Sequence, residues 1–117
     1  MASARRRVTA AIDVERGVFM ISVAAELADM HPQTLRMYEA RGLITPQRSP
    51  KNTRLYSQRD VERLRRIQEM TSEGLSLASV ETILGLEERV ARLRAEVERW
   101  RGRAEELEGR AWKGRRV

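Results

Sequence analysis

The chain has 117 residues, no cysteine, one histidine and a net charge of +6, with a pI of about 10.9. The absence of cysteine excludes disulfides, thiol switches and thiolate metal sites, and one histidine leaves a zinc centre only carboxylates to draw on. A chain this short forms one small domain with extensions, and its basic excess, almost all arginine, selects a polyanionic partner, nucleic acid before a membrane surface. No run approaches the roughly 18 apolar residues that span a bilayer. Arg5-Arg6-Arg7 and the apolar run after it imitate a signal peptide, but Asp13 and Glu15 break the run, so the expected location is the cytoplasm, on the nucleoid.

Residues 1–17 are polar, arginine-bearing and aperiodic, which predicts a flexible basic arm. A domain is predicted over 18–85. Its positive charge is densest in residues 31–56, with five basic groups against one acidic. Ser22 is the predicted N-cap of a first helix, with Val23, Ala24, Leu27 and Ala28 as its apolar face and an end near Asp29-Met30. His31-Pro32 opens a second helix, because proline suits a first-turn position whose amide has no partner. Leu35 is its expected core anchor, with Tyr38 partly buried. Gln33, Thr34, Arg36 and Met37 fall on or near the outward face, and Gly42 ends the helix in a left-handed turn.

Thr45 to Tyr56 holds two prolines, Ser49 and Asn52, which favour turns, so a short antiparallel hairpin is expected. Strand alternation turns Leu55 inward and Arg54 and Tyr56 outward. Ser57 and Asp60 form a capping-box pair that starts a third helix, with Val61, Leu64 and Ile67 on its core face and Gly74 at its end. Ser76 caps a fourth helix through Val80, Ile83 and Leu84. From Ile83 onward apolar residues recur at alternating intervals of three and four: Leu86, Val90, Leu93, Val97, Trp100, Ala104, Leu107 and Ala111. That heptad predicts a coiled-coil dimerisation helix over 86–111, hence a homodimer, and its flanking charges leave parallel and antiparallel pairing open. Residues 112–117 are read as a basic tail.

The fold class is therefore mostly α: a winged helix-turn-helix domain with a small β-hairpin wing, followed by a long dimerisation helix. A helix-turn-helix places its second helix in the major groove, where base edges carry a donor–acceptor code. Gln33 and Arg36 are the expected base readers, since Gln can bond adenine and Arg guanine in bidentate fashion. Thr34 and Tyr38 are expected on phosphates, and Lys51, Arg54 and Tyr56 would set the wing against the flanking backbone. The plainer readings are that Arg36 pairs with Glu39 or Glu26, that Tyr38 is a core residue, that His31 is a helix cap, and that Trp100 simply packs.

ISVAAELADMHPQTLRMYEARGLI, RLYSQRDVERLRRI and GLSLASVETIL together resemble the winged-helix domain of MerR-type regulators, over roughly residues 20–85. The marks are TLR-x-Y-E, GL and R-L-Y-S. HPQTLR and SVAAELA most resemble the heat-shock repressors within that family. The resemblance implies a repressor of chaperone genes that binds an inverted repeat, with the DnaK chaperone as co-repressor and with antiparallel dimerisation helices. It places contacts on Gln33, Thr34, Arg36, Tyr38, Arg54 and Tyr56. The chain departs from the family in four respects. Met37-Tyr38 stands where many members have two aromatics, and the wing tip SPKNT lacks the usual glycine. The cysteines of metal-sensing members and the room for a drug-sensing domain are also missing.

Two other functions fit the same pattern: an activator that retwists a promoter spacer, and a coiled-coil protein that binds acidic partners. An enzyme is not expected, because there is no nucleophile–base pair, phosphate loop or metal cluster.

Overall fold

The computed structural model describes residues 13–115. The chain divides into two compact units, the first ending at Leu75 and the second beginning at Ser76. The first unit contains α1 (Ile21–Leu27), α2 (Pro32–Ala40), β1 (Gln47–Arg48), β2 (Arg54–Leu55) and α3 (Gln58–Ser72). The second is one helix, α4 (Leu77–Arg115).

Helices α1, α2 and α3 all stop by the same device. The residue after the C-cap is left-handed: Asp29 (φ 55°), Gly42 (φ 77°) and Gly74 (φ 97°). The amide beyond it then reaches back to an orphan carbonyl: Met30 to Ala25 at 2.9 Å, Leu43 to Tyr38 at 3.0 Å, and Leu75 to Met70 at 3.1 Å. Aspartate tolerates this conformation better than most residues, which lets the turn between α1 and α2 form without glycine.

Helix α1 begins two residues earlier than Ser22 predicts. Met20 occupies the cap position and makes no side-chain cap bond, while Ser22 is exposed within the first turn. The buried face is also rotated: Ala24, Ala25 and Ala28 are in the core, whereas Val23 and Leu27 are 42% and 40% exposed. Small side chains on this buried face let neighbouring helices approach closely, so the alanines turn in ahead of the larger Val23 and Leu27. Helix α2 follows its expected pattern, with Leu35 and Tyr38 buried and Pro32 in the first turn. The His31 Nδ1 accepts from the Gln33 amide at 3.0 Å, so His31 is the N-cap. The capping box of α3 is complete: Asp60 N donates to Ser57 Oγ at 3.0 Å and Ser57 N to Asp60 Oδ2 at 2.9 Å. Val61, Leu64, Ile67 and Met70 face inward.

The hairpin pairs Gln47 with Leu55 and Arg48 with Arg54. Phe19 extends it, pairing with Tyr56 through N–H···O bonds of 2.9 and 2.7 Å. The glycine missing from the wing tip is replaced by Asn52, which takes the left-handed conformation at φ 65°. The tip is closed by Asn52 N to Ser49 O (2.8 Å), Ser49 N to Thr53 O (2.9 Å) and Thr53 N to Ser49 Oγ (3.1 Å). Asn52→Gly should preserve stability within about 0.5 kcal/mol, while the β-branched Asn52→Val should lose about 1–2 kcal/mol. Urea unfolding of the three proteins checks this; equal stability of Asn52→Val would remove the argument.

The expected arm over 1–17 lies outside the described residues up to 12. Its last five residues are tied down rather than loose. Gly17 N donates to Gln47 Oε1 at 2.8 Å, Gln47 Nε2 donates to Glu15 O at 2.7 Å, and Arg59 N donates to Val14 O at 3.0 Å. A Cβ on Gly17 would meet that Oε1 at 2.8 Å and Leu55 O at 3.0 Å, so the close approach requires glycine.

In the second unit, Ser76 Oγ accepts from Ser79 N at 3.1 Å and starts α4. Val80 and Leu84 are buried. The fourth helix expected from Ser76 and the heptad-bearing helix expected over 86–111 are continuous. One helix of 39 residues runs through residue 86 and through Trp112 in the expected tail, a length of about 58 Å. Leu86, Val90, Leu93, Val97, Trp100 and Leu107 form its apolar stripe and are 45–62% exposed.

Candidate nucleic-acid interface

The solvent face of α2 is narrow and well defined. Gln33, Arg36, Met37 and Ala40 are exposed, and Thr34 is half-buried beside them. Their spacing of three and four puts them on one side of the helix, opposite Leu35 and Tyr38. Arg36 Nη1 donates to Gln33 Oε1 at 2.8 Å. The arginine therefore pairs with neither Glu39 nor Glu26, and its outer end is steadied by Gln33. A guanidinium has five donors, so most of its capacity is left for a base edge.

Glu39 has a different partner. Arg54 Nε donates to both of its carboxylate oxygens, at 2.8 and 3.1 Å, and Arg48 Nη2 lies 3.8 Å from Oε1. The carboxylate is 17% exposed and the Arg54 side chain 39%. This partly buried ion pair ties α2 to β2. Sequence reasoning saw Arg54 only as a wing contact; its pairing with a glutamate on the opposite element is visible only in three dimensions. Lys51 and Asn52 are exposed at the wing tip, and Arg48 Nη1 donates to Asn52 O at 3.2 Å.

Tyr38 is the core residue of the plainer reading, whereas Tyr56 is placed otherwise than the outward reading requires. Tyr38 is buried, its hydroxyl donating to Gln68 Oε1 at 3.5 Å. Tyr56 is fully buried, and its hydroxyl has no hydrogen-bond partner. The strand is only two residues long, so alternation does not carry to Tyr56; pairing with Phe19 instead lays it across the core. Burial pushes the Tyr56 hydroxyl from 10.0 to about 12, the Glu39 carboxylate adds to the rise, and Arg54 and Arg48 oppose it. The unfolded phenol thus ionises first, and stability present below pH 10 is lost as pH rises toward about 12. Tyr56→Phe should remove that loss, roughly 2–3 kcal/mol at full ionisation. Alkaline unfolding curves that coincide for the two proteins would contradict the assignment.

Two short helices with a four-residue connection, an exposed polar face on the second and a basic hairpin after them define a winged helix-turn-helix protein. Among the described residues no group of three or more His, Cys, Asp or Glu could hold a metal ion, and no helix is long and apolar enough to cross a membrane.

The family model for MerR HTH family regulatory proteins matches residues 19–86. The chain belongs to that family, whose members are transcription regulators and not enzymes. It is 45% identical over 92 residues to the putative heat shock protein HspR of Streptomyces coelicolor, covering 78% of this chain and 61% of that protein. It is 37% identical over 79 residues to the transcriptional repressor CarH of Myxococcus xanthus, covering 62% and 26%. The chain thus spans less than two thirds of the length of these relatives. Among solved structures it is similar to the transcription regulator PbrR691 of Ralstonia metallidurans, crystallised with lead(II), at a TM-score of 0.59 and 27% identity, covering 77% of this chain and 83% of that one. It is also similar to HiNmlR, a MerR family regulator lacking the sensor domain and bound to promoter DNA, at a TM-score of 0.53 and 25% identity, covering 77% and 75%.

Proposed function

We propose that this protein is a sequence-specific, DNA-binding repressor of heat-shock and chaperone genes that binds an inverted-repeat operator as a homodimer. The observation that carries the reading is the exposed Gln33–Arg36 pair on a helix whose other face is locked into the core. The likeness to a heat shock protein named HspR supports the choice of regulon. Gln33, Thr34 and Arg36 enter the major groove, and Lys51 and Arg54 meet the flanking phosphates. Tyr38 and Tyr56 act from beneath, shaping the elements that make contact. The apolar stripe Leu86, Val90, Leu93, Val97, Trp100 and Leu107 pairs two copies. The DnaK chaperone serves as co-repressor, a role that rests on the resemblance to heat-shock repressors alone.

Footprinting on a chaperone promoter tests the reading; no protection above the nonspecific background would sink it. Arg36→Ala should lose about 1–3 kcal/mol of operator affinity and relax the base preference. Equal losses on operator and random duplexes would show that Arg36 touches phosphate and not a base.

A further inference from the structure

We propose that Met37 is a specificity-determining residue that recognises the C5-methyl group of a thymine next to the bases read by Gln33 and Arg36. This rests on the DNA-binding reading above. Met37 is 45% exposed, the large apolar residue on an otherwise polar or small face made by Gln33, Arg36 and Ala40. Met37 lies one turn beyond Gln33, on the same side. The bond from Arg36 to Gln33 Oε1 at 2.8 Å draws the arginine toward the glutamine and fixes the polar pair beside the methionine.

The occupant follows from charge and from groove chemistry. Residues 31–56 carry five basic groups against one acidic, which favours a phosphate-bearing partner over an apolar protein surface. In the major groove the apolar feature offered by the base edges is the thymine methyl. A methionine side chain is unbranched and polarizable, so it can follow that methyl across small shifts in docking. An aromatic at this position would be stiffer and bulkier, and a hydroxyl-bearing one would seek a phosphate. Met37 therefore suits a base contact better than a phosphate contact.

The test uses the full chain. Duplexes are first selected from a randomised pool. Each thymine of the selected sequence is then replaced singly by deoxyuridine, which lacks only the methyl group. One thymine per half-site should weaken binding of the unaltered protein about fourfold when replaced, the value of one buried methyl. The same replacement should leave binding of Met37→Ala unchanged. Met37→Gln, also exposed and compatible with a helix, gives the same readout should the alanine variant fold poorly, and thermal melts verify both. A selected sequence whose deoxyuridine scan is identical for the unaltered and variant proteins overturns the proposal and leaves DNA recognition standing. A pool with no enriched sequence overturns the DNA-binding reading and this one with it.

Discussion

Leu93→Asp with Val97→Asp should abolish self-association and lower operator affinity by roughly a hundredfold or more, the scale on which linked half-sites reinforce each other. Both side chains lie in the apolar stripe of α4, 51% and 49% exposed. Helix α4 bears an uninterrupted heptad, and covering such an apolar face is the main source of helix stability in proteins. Two carboxylates in the seam would be buried without partners if the dimer formed. Sedimentation at micromolar concentration reads the association state directly. A dimer that persists in the double variant would remove this stripe from the interface. A monomer that still binds the operator with full affinity would remove the need for pairing.

Leu35→Ala should cost about 2–5 kcal/mol by leaving a cavity under α2. A unit of this size holds roughly 3–9 kcal/mol in total, so the loss is a large share of it. Leu35 is fully buried and, with Tyr38, holds the inner face of a nine-residue helix whose other face is exposed. Leu35→Met keeps the volume and should cost less than about 1.5 kcal/mol. Urea midpoints order the three proteins; operator binding should fall in Leu35→Ala in step with the unfolded fraction. Full stability of Leu35→Ala would mean that α2 is held by something other than this anchor.

Most of the architecture was legible because its signals are local. Ser57 with Asp60, Pro32, Gly42 and Gly74 each act within one turn of chain, and the heptad repeats one rule. The long-range features were not legible. Nothing in the sequence says that Gln47 reaches Glu15 and Gly17, or that Glu39 closes on Arg54, since both depend on segments that fold against each other. The first helix was rotated for a related reason: periodicity marks Val23 and Leu27 as core, but the close approach of neighbouring helices favours alanines. Tyr56 was turned outward by a two-residue rhythm that a two-residue strand does not sustain. At the interface, the exposed positions of α2 and the partial burial of Tyr38 could be read from spacing, whereas the bond between Gln33 and Arg36 and the burial of Tyr56 could not.

The ion pair between Glu39 and Arg54 has a consequence for how such a reader changes over time or is redesigned. The carboxylate sits on α2, the proposed recognition helix, and its partner sits on the hairpin of the proposed wing contact. A transplanted recognition helix without glutamate at this position would leave an arginine partly buried and unanswered. A transplanted wing without the arginine would strand the acid. The exchangeable part is therefore the span from Pro32 to Leu55 taken whole. New operator preferences should arise through Gln33, Arg36 and Met37, which vary freely of that constraint, while the distance between groove and flank is inherited unchanged.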